Sequence, residues 1–381
     1  GANGTVAIGH QAGYAITSGA GNLAIGYQAL LTHTTGGDNI AIGSGAIGDT
    51  NAGSTSLGSV QNIAIGTGTL GGAWADAASN YNIGIGKFVM DAVMNGAEHN
   101  IGIGQYSLSA LTEGDDNTAI GYNALGSLTT GNFNIGIGDR AGVSVTTGTN
   151  NIHLGYLAGY GGNTTGNVAI GSEALLSCAA SSNVAIGYQA GRYTTANDGV
   201  WVGASAGTTG TGGGQSVIVG NYAGQHIVGS QVTHIGRAAG QYATGSYNTF
   251  VGYLTGQGGT TSAPFSSGIS NVALGHSALK VFTTANNNVA IGVGAAGALT
   301  TASGSVMIGS GAGDATTTGN GHVIIGHNAG GTGNQAGLGN VVIGALAGNA
   351  ITNAGNEGSV AIGYMAGAGV SNNNFTVIGY K

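Results

Sequence analysis

Proline occurs once in this chain, cysteine once, and Lys, Arg, Asp and Glu together only nineteen times. Each scarcity excludes something. A single cysteine, Cys178, rules out an intrachain disulfide framework. Charge at 5% against roughly 25% in ordinary soluble domains, with 41% hydrophobic residues, is the opposite of a disordered segment. Six basic residues, scattered singly, offer no patch to neutralise phosphates, so a nucleic-acid partner is not expected. No apolar stretch approaches the roughly 20 residues of a membrane span, and no signal peptide is visible. The chain begins at Gly1 without methionine and stops at Lys381 inside a repeat, which reads as a piece of something longer.

What the chain does have is glycine, 81 residues of it in 381. Collagen needs glycine at every third position and abundant proline, and neither is present. The glycines instead mark a repeat. An aliphatic-Gly dipeptide recurs 22 times, from Gly9, Gly26 and Gly43 to Gly344, Gly363 and Gly379, mostly 16 or 17 residues apart. Ile, Leu or Val precedes the glycine in every copy, and two residues earlier stands another aliphatic or Thr. Positions two apart share one face of a strand. Between them lies a mostly small residue, ten Ala and three Gly in 22 copies. After the glycine comes x-x-Ala-Gly or x-x-Ala-Leu, with Ala in 17 of 21 complete copies; before the strand stands Asn in 14 of 22.

A coil of 16–17 residues cannot bury its aliphatics alone, so the fold expected is an all-β parallel β-solenoid or β-roll of about 22 coils. It forms one rod over residues 1–381, roughly 100 Å long at about 4.8 Å per coil. The aliphatic column is expected to form the core ladder: Ile8, Ile25, Ile42, Ile65, Ile186 and Ile291. Asn22, Asn39, Asn183 and Asn288 are expected to form an Asn ladder, each amide bonding the coil above, at corners where Asn also tolerates positive φ. The small residues between the aliphatics, Ala185, Ala273 and Ala290 among them, then point outward. An uncharged outward face is unusual and suggests contact with a second protomer. Bulk rises on that column at Trp201, Ile218, His234 and Phe250, and again at Met307, Ile324 and Val342.

Longer steps place extra residues at 49–60, 71–79 and 257–270. Insertions in solenoids map to protruding loops, often on a binding face. Trp74, Pro264 and Phe265 are therefore the candidate contact residues.

Catalysis finds no foothold. Two G-x-G-x-x-G matches, at 66–71 and 292–297, are repeat corners with no helix after them. The nine histidines fall mostly in equivalent columns of distant coils, too far apart to share a zinc, and ordinary surface histidines are the plainer reading. No carboxylate pair or Ser-His-Asp set has a spacing argument. No enzyme, cofactor, metal or catalytic residue is expected. Thr35, Thr130, Thr147, Thr195, Thr284, Thr301 and Thr318 each lie eight residues before the next repeat glycine. They form a turn ladder of hydroxyls or, as the alternative function, a Thr array that binds ice.

Asn-Val-Ala-Ile-Gly at 183–187 and 288–292, with Asn-Ile-Ala-Ile-Gly at 39–43 and 62–66, resembles the head repeat of trimeric autotransporter adhesins of the YadA type. Gly-Tyr-Gln-Ala at 26–29 and Gly-Tyr-Gln-Ala-Gly at 187–191 are similar to repeats of phage tail-fibre proteins. The resemblance covers essentially the whole chain. It implies a left-handed β-roll assembled as a homotrimer, an extracellular, cell-surface or virion-surface location, and attachment to a cell-surface or extracellular receptor or to neighbouring fibres. The function expected is a non-enzymatic fibre or adhesin shaft.

Overall fold

The computed structural model describes residues 3–48, 58–259, 261–262, 265–333, 337–349, 357–370 and 374–381. Among them there is no helix; the regular structure is 22 strands of three residues each. The chain divides into two compact units, Gly1–Tyr188 and Gln189–Lys381. The first carries β1 (Val6–Ile8) to β11 (Val184–Ile186), the second β12 (Val200–Val202) to β22 (Thr376–Ile378). Within each unit every strand pairs in parallel with the next along the chain, position on position. The architecture is therefore the parallel β-solenoid expected from the repeat.

The glycine of each repeat is fixed by close approach. At Gly121 φ is +135°, and a Cβ there would sit 2.5 Å from the carbonyl oxygen of Gly138 one coil on. Stacked corners of this kind admit hydrogen and nothing larger. The following Gly-x-x-Ala segment closes a turn, with the Ala141 amide donating to the Gly138 carbonyl at 3.3 Å. Its third residue takes positive φ, here Arg140 at 54°. Non-glycine residues rarely adopt this region, yet the position is occupied by Gln28, Asn123, Gln189 and Leu254 as well. Hydrogen bonds between coils hold it: the Arg140 amide donates to the Tyr122 carbonyl at 2.8 Å.

The core is not where the strand pattern placed it. The middle residue of the strand points inward: Ala24, Ala41, Ala64, Ala185 and Ala290 are all fully buried. Around them inside the coil sit the turn alanines (Ala29, Ala46, Ala124), the residue after each of these (Leu30, Ile47, Leu125), and a further apolar residue such as Leu111, Leu128 or Phe282. The aliphatics on either side of the middle residue point outward. Ile8, Ile65 and Ile186 are 58%, 37% and 38% exposed, and Ile25, Ile42 and Ile291 are half-buried. The proposed core ladder is thus an outward ladder. A coil this small has room between its walls for one small strand side chain, and the turn supplies the remaining apolar volume.

The Asn ladder is inside. Asn22, Asn39, Asn183 and Asn288 are buried. Asn22 Oδ1 accepts from the Asn39 amide at 2.9 Å and from its Nδ2 at 3.1 Å. The backbone-amide half of the pattern passes without a break from Asn22 to Asn183 through Asn39, Asn62, Asn82, Asn100, Asn117, Asn134, Asn151 and Asn167. Most of the buried Asn side chains also cap a carbonyl across the coil, as Asn117 Nδ2 does to Gly131 at 2.8 Å. Positive φ belongs to the residue before the Asn (Asp38, Asp116, Asn287), not to the ladder itself. At Ser305 and His322, which replace Asn on successive coils, the column keeps an acceptor: the His322 amide donates to Ser305 Oγ at 3.2 Å, and the Asn340 amide to His322 Nδ1 at 3.2 Å.

Candidate functional site

The inward strand column explains the bulky residues that interrupt it. Trp201, Ile218, His234, Phe250, Met307, Ile324 and Val342 are buried, together with His153. They are core residues and not widenings of an outer surface. Five positions after the repeat's outward aliphatic, the turn residue becomes Gly at these coils: Gly159 beside His153, Gly207 beside Trp201, Gly240 beside His234. A Cβ at any of the three would approach the neighbouring ring to 2.3–2.4 Å. At these coils volume is exchanged between strand and turn. His153 and His234 are taken up in this packing.

Four of the histidines are fully buried: His322 in the Asn column, and three others, His33, His153 and His234. His33 Nε2 lies 2.9 Å from the Ser59 carbonyl, whereas among the described residues neither ring nitrogen of His153 or His234 has a hydrogen-bond partner. The His234 ring stacks on Phe250 with centroids 5.0 Å apart. Burial holds all three neutral, lowering His33 and His153 from 6.5 to about 4 and His234 to about 3. His153 and His234 are thereby corrected from outward to inward residues, because they share the strand-middle column of the buried alanines. Among the described residues no group of three His, Cys, Asp or Glu side chains is placed to hold a metal ion. Cys178 is buried and its thiol is pushed up by desolvation, the reverse of a reactive thiolate.

The candidate contact residues fare differently from one another. Trp74 is fully buried, which corrects its reading as a protruding loop. The next coil is also long, so the extra residues stay in its ladder: the Ala75 amide donates to the Met94 carbonyl at 2.7 Å. The coil widens there, and Trp74 and Met94 fill it. Phe265 is half-buried and folds flat on its own chain, against His226 at 4.3 Å and Tyr242 at 6.1 Å. Pro264 and residues 49–57 lie outside the described residues.

What remains exposed and regular is the outward strand face. Each coil contributes two side chains to it, and of these 44 positions 40 are Ile, Leu or Val and four are Thr. Neighbouring coils place like on like, for instance Ile63 beside Ile83 and Ile65 beside Ile85. No charged residue interrupts the face. Along one margin runs the residue after the repeat glycine, often an exposed tyrosine: Tyr27, Tyr122, Tyr156, Tyr188, Tyr253 and Tyr364. The sequence showed these aliphatics plainly; only their direction was misassigned.

The threonine column is likewise exposed at Thr35, Thr130, Thr147, Thr195, Thr284, Thr301 and Thr318. The preceding threonine of several pairs is tied between coils, Thr283 Oγ1 donating to the Thr300 carbonyl at 3.0 Å and Thr300 Oγ1 to Thr317 at 2.9 Å. Neither a protein-family model nor a curated protein matches the chain.

Proposed function

We propose that the chain is a non-enzymatic fibre or adhesin shaft, extracellular at a cell or virion surface, whose copies associate through the outward strand face as a homotrimer. One observation carries this: an uncharged aliphatic face repeated on every strand of both units. Strands about 10 Å long and 4.8 Å apart give each unit's eleven strands about 500 Å² of such surface. Monomeric proteins rarely leave larger contiguous apolar patches in water.

A second copy is the partner that fits best, because it presents the same methyl ridges at the same spacing. The homotrimer and left-handed winding follow from the resemblance to adhesin head repeats, and attachment to a receptor or a neighbouring fibre is the role that resemblance carries. Among the described residues no helix is long and apolar enough to cross a membrane, which accords with a shaft standing outside one. The test is the native mass of the full chain in solution. Three chains per particle support the reading, and a monomer at micromolar concentration overturns it.

Ice binding is the second reading, favoured by Thr284, Thr301 and Thr318 standing exposed on successive coils. The array is short, and the intervening coils of the chain interrupt it. Thermal hysteresis at micromolar protein decides it, and none is expected.

A further inference from the structure

A face that repeats on every coil has a register problem. Sliding one copy past another by a single coil, about 4.8 Å, sets every aliphatic against an equivalent aliphatic again. Association through such a face would therefore give a mixture of staggers unless something on it is not periodic.

Four side chains break the period. Thr118 on β7 (Thr118–Ile120), Thr233 on β14 (Thr233–Ile235), Thr249 on β15 (Thr249–Val251) and Thr376 on β22 replace the first outward aliphatic of their strands. Thr233 and Thr249 are direct neighbours in the parallel ladder. Thr118 is flanked by Ile101 and Ile135. All four face outward, Thr118, Thr233 and Thr249 half-buried and Thr376 exposed. Among the described residues none supplies these four hydroxyls with a hydrogen bond. The positions are uneven: seventh of the first unit's eleven strands, third, fourth and eleventh of the second's. A one-coil slip keeps a single coincidence, Thr249 over Thr233, and loses the others.

We infer that Thr118, Thr233 and Thr249 fix the axial register in which copies of this chain pack face to face, an inference that rests on self-association through the outward face. In register, hydroxyls of symmetry-related copies meet at one level, and each can donate and accept in turn. Out of register, each is pressed against Ile or Val and desolvated without a partner. The logic is that of a polar residue in a coiled-coil seam, which selects one alignment from many apolar ones. Valine is nearly the same shape as threonine and suits an outward strand position, so its substitution tests the hydroxyl with little effect on the coil.

The experiment uses full-length chains carrying either Ile235→Cys or Val251→Cys, refolded as an equal mixture and mildly oxidised. The chain without a reporter gives the background from buried Cys178. Disulfides close over Cα separations of about 4.4–6.8 Å, so a one-coil stagger separates like from unlike pairs. With the threonines present, like pairs should exceed unlike pairs by about ten-fold or more, the effect of a single orphaned hydroxyl. With Thr118→Val, Thr233→Val and Thr249→Val combined, unlike pairs should rise to a comparable yield while the particle mass stays unchanged. The three Thr→Ser changes should restore the preference. Retained preference in the valine variant overturns the register role while leaving self-association intact. No like-pair preference with the threonines present, or no cross-link at all in an oligomer, overturns it equally. A monomeric native mass removes both readings together.

Discussion

Phe250 and Gly256 occupy one another's space: a Cβ on Gly256 would lie 2.4 Å from Cδ2 of the Phe250 ring. The next coil solves the same volume the other way, with Ala273 in the strand and Leu279 in the turn. The backbone is equivalent in both, φ being +53° at Gly256 and +50° at Leu279. Phe250→Ala alone should cost about 3–5 kcal/mol through the cavity it leaves. Gly256→Leu alone should be strongly destabilising through overpacking. Combined, they recreate the arrangement of the following coil, and the double variant should recover at least about 1 kcal/mol relative to the sum. Denaturant titration of the four proteins measures it; strict additivity would show that the two residues do not share a volume.

Adjacent residues Ala185 and Ile186 should respond oppositely to charge. Ala185→Glu buries an unpaired carboxylate inside the coil and should cost several kcal/mol, opening the coils around it to protease. Ile186→Glu projects outward and should change the melting temperature of an isolated chain by little, within about 0.5 kcal/mol. It should instead weaken association, reducing particle mass on dilution. Equal destabilisation by the two changes would contradict the inward and outward assignment.

Asn117 sits mid-ladder, its amide and Nδ2 both donating to Asn100 Oδ1 at 3.0 Å while its own Oδ1 accepts from Asn134 at 2.9 and 3.0 Å. Asn117→Ala leaves the Asn134 amide and the Gly131 carbonyl without side-chain partners in a dry interior. A loss of about 2–4 kcal/mol is expected. Because coils contact only their neighbours, amide exchange should quicken over residues 100–134 and hardly elsewhere. Hydrogen-exchange mass spectrometry reads both.

Acid should destabilise the fold through its buried histidines. Their folded pKa values, about 4 for His33 and His153 and about 3 for His234, lie below the 6.5 of an open chain. The unfolded state therefore binds protons first, so stability is fully present above pH 6.5 and is lost as pH falls from there towards 4 and 3. At about 1.4 kcal/mol per pKa unit this amounts to roughly 3 kcal/mol each for His33 and His153 and roughly 5 kcal/mol for His234. His153→Leu combined with His234→Phe should leave stability at pH 7 intact, since no hydrogen bond is lost, and should flatten the decline between pH 6 and 4. A decline as steep as that of the parent chain would assign acid sensitivity elsewhere.

The repeat, its strands and the Asn ladder were legible because each is a matter of period and hydrogen-bonding capacity. The direction of the strand was not. Ile-Ala-Ile reads as core-small-core on hydrophobicity alone, but the turn contributes Ala29 and Leu30 to the interior and leaves the middle of the strand as the third wall. A signal for this does stand in the sequence. Trp201, Phe250 and Met307 are each accompanied by Gly six residues later, at Gly207, Gly256 and Gly313, where Ala24, Ala41 and Ala64 are accompanied by Leu30, Ile47 and Leu70. A residue facing water would have no volume to trade with a buried turn. Trp74 was misjudged for a related reason: an insertion matched by a longer neighbouring coil enlarges the interior instead of leaving it.

Within each unit the boundaries between coils have the same form, glycine carbonyl over glycine, with the strands of neighbouring coils in one fixed register. Excising residues 122–138 would join Gly121 to Asp139 and bring the ladder of Asn117 directly under that of Asn151, with no junction the molecule does not already contain. The number of coils within a unit can thus change without altering the junctions between them. Like a ruler cut at any of its marks, it stays a ruler.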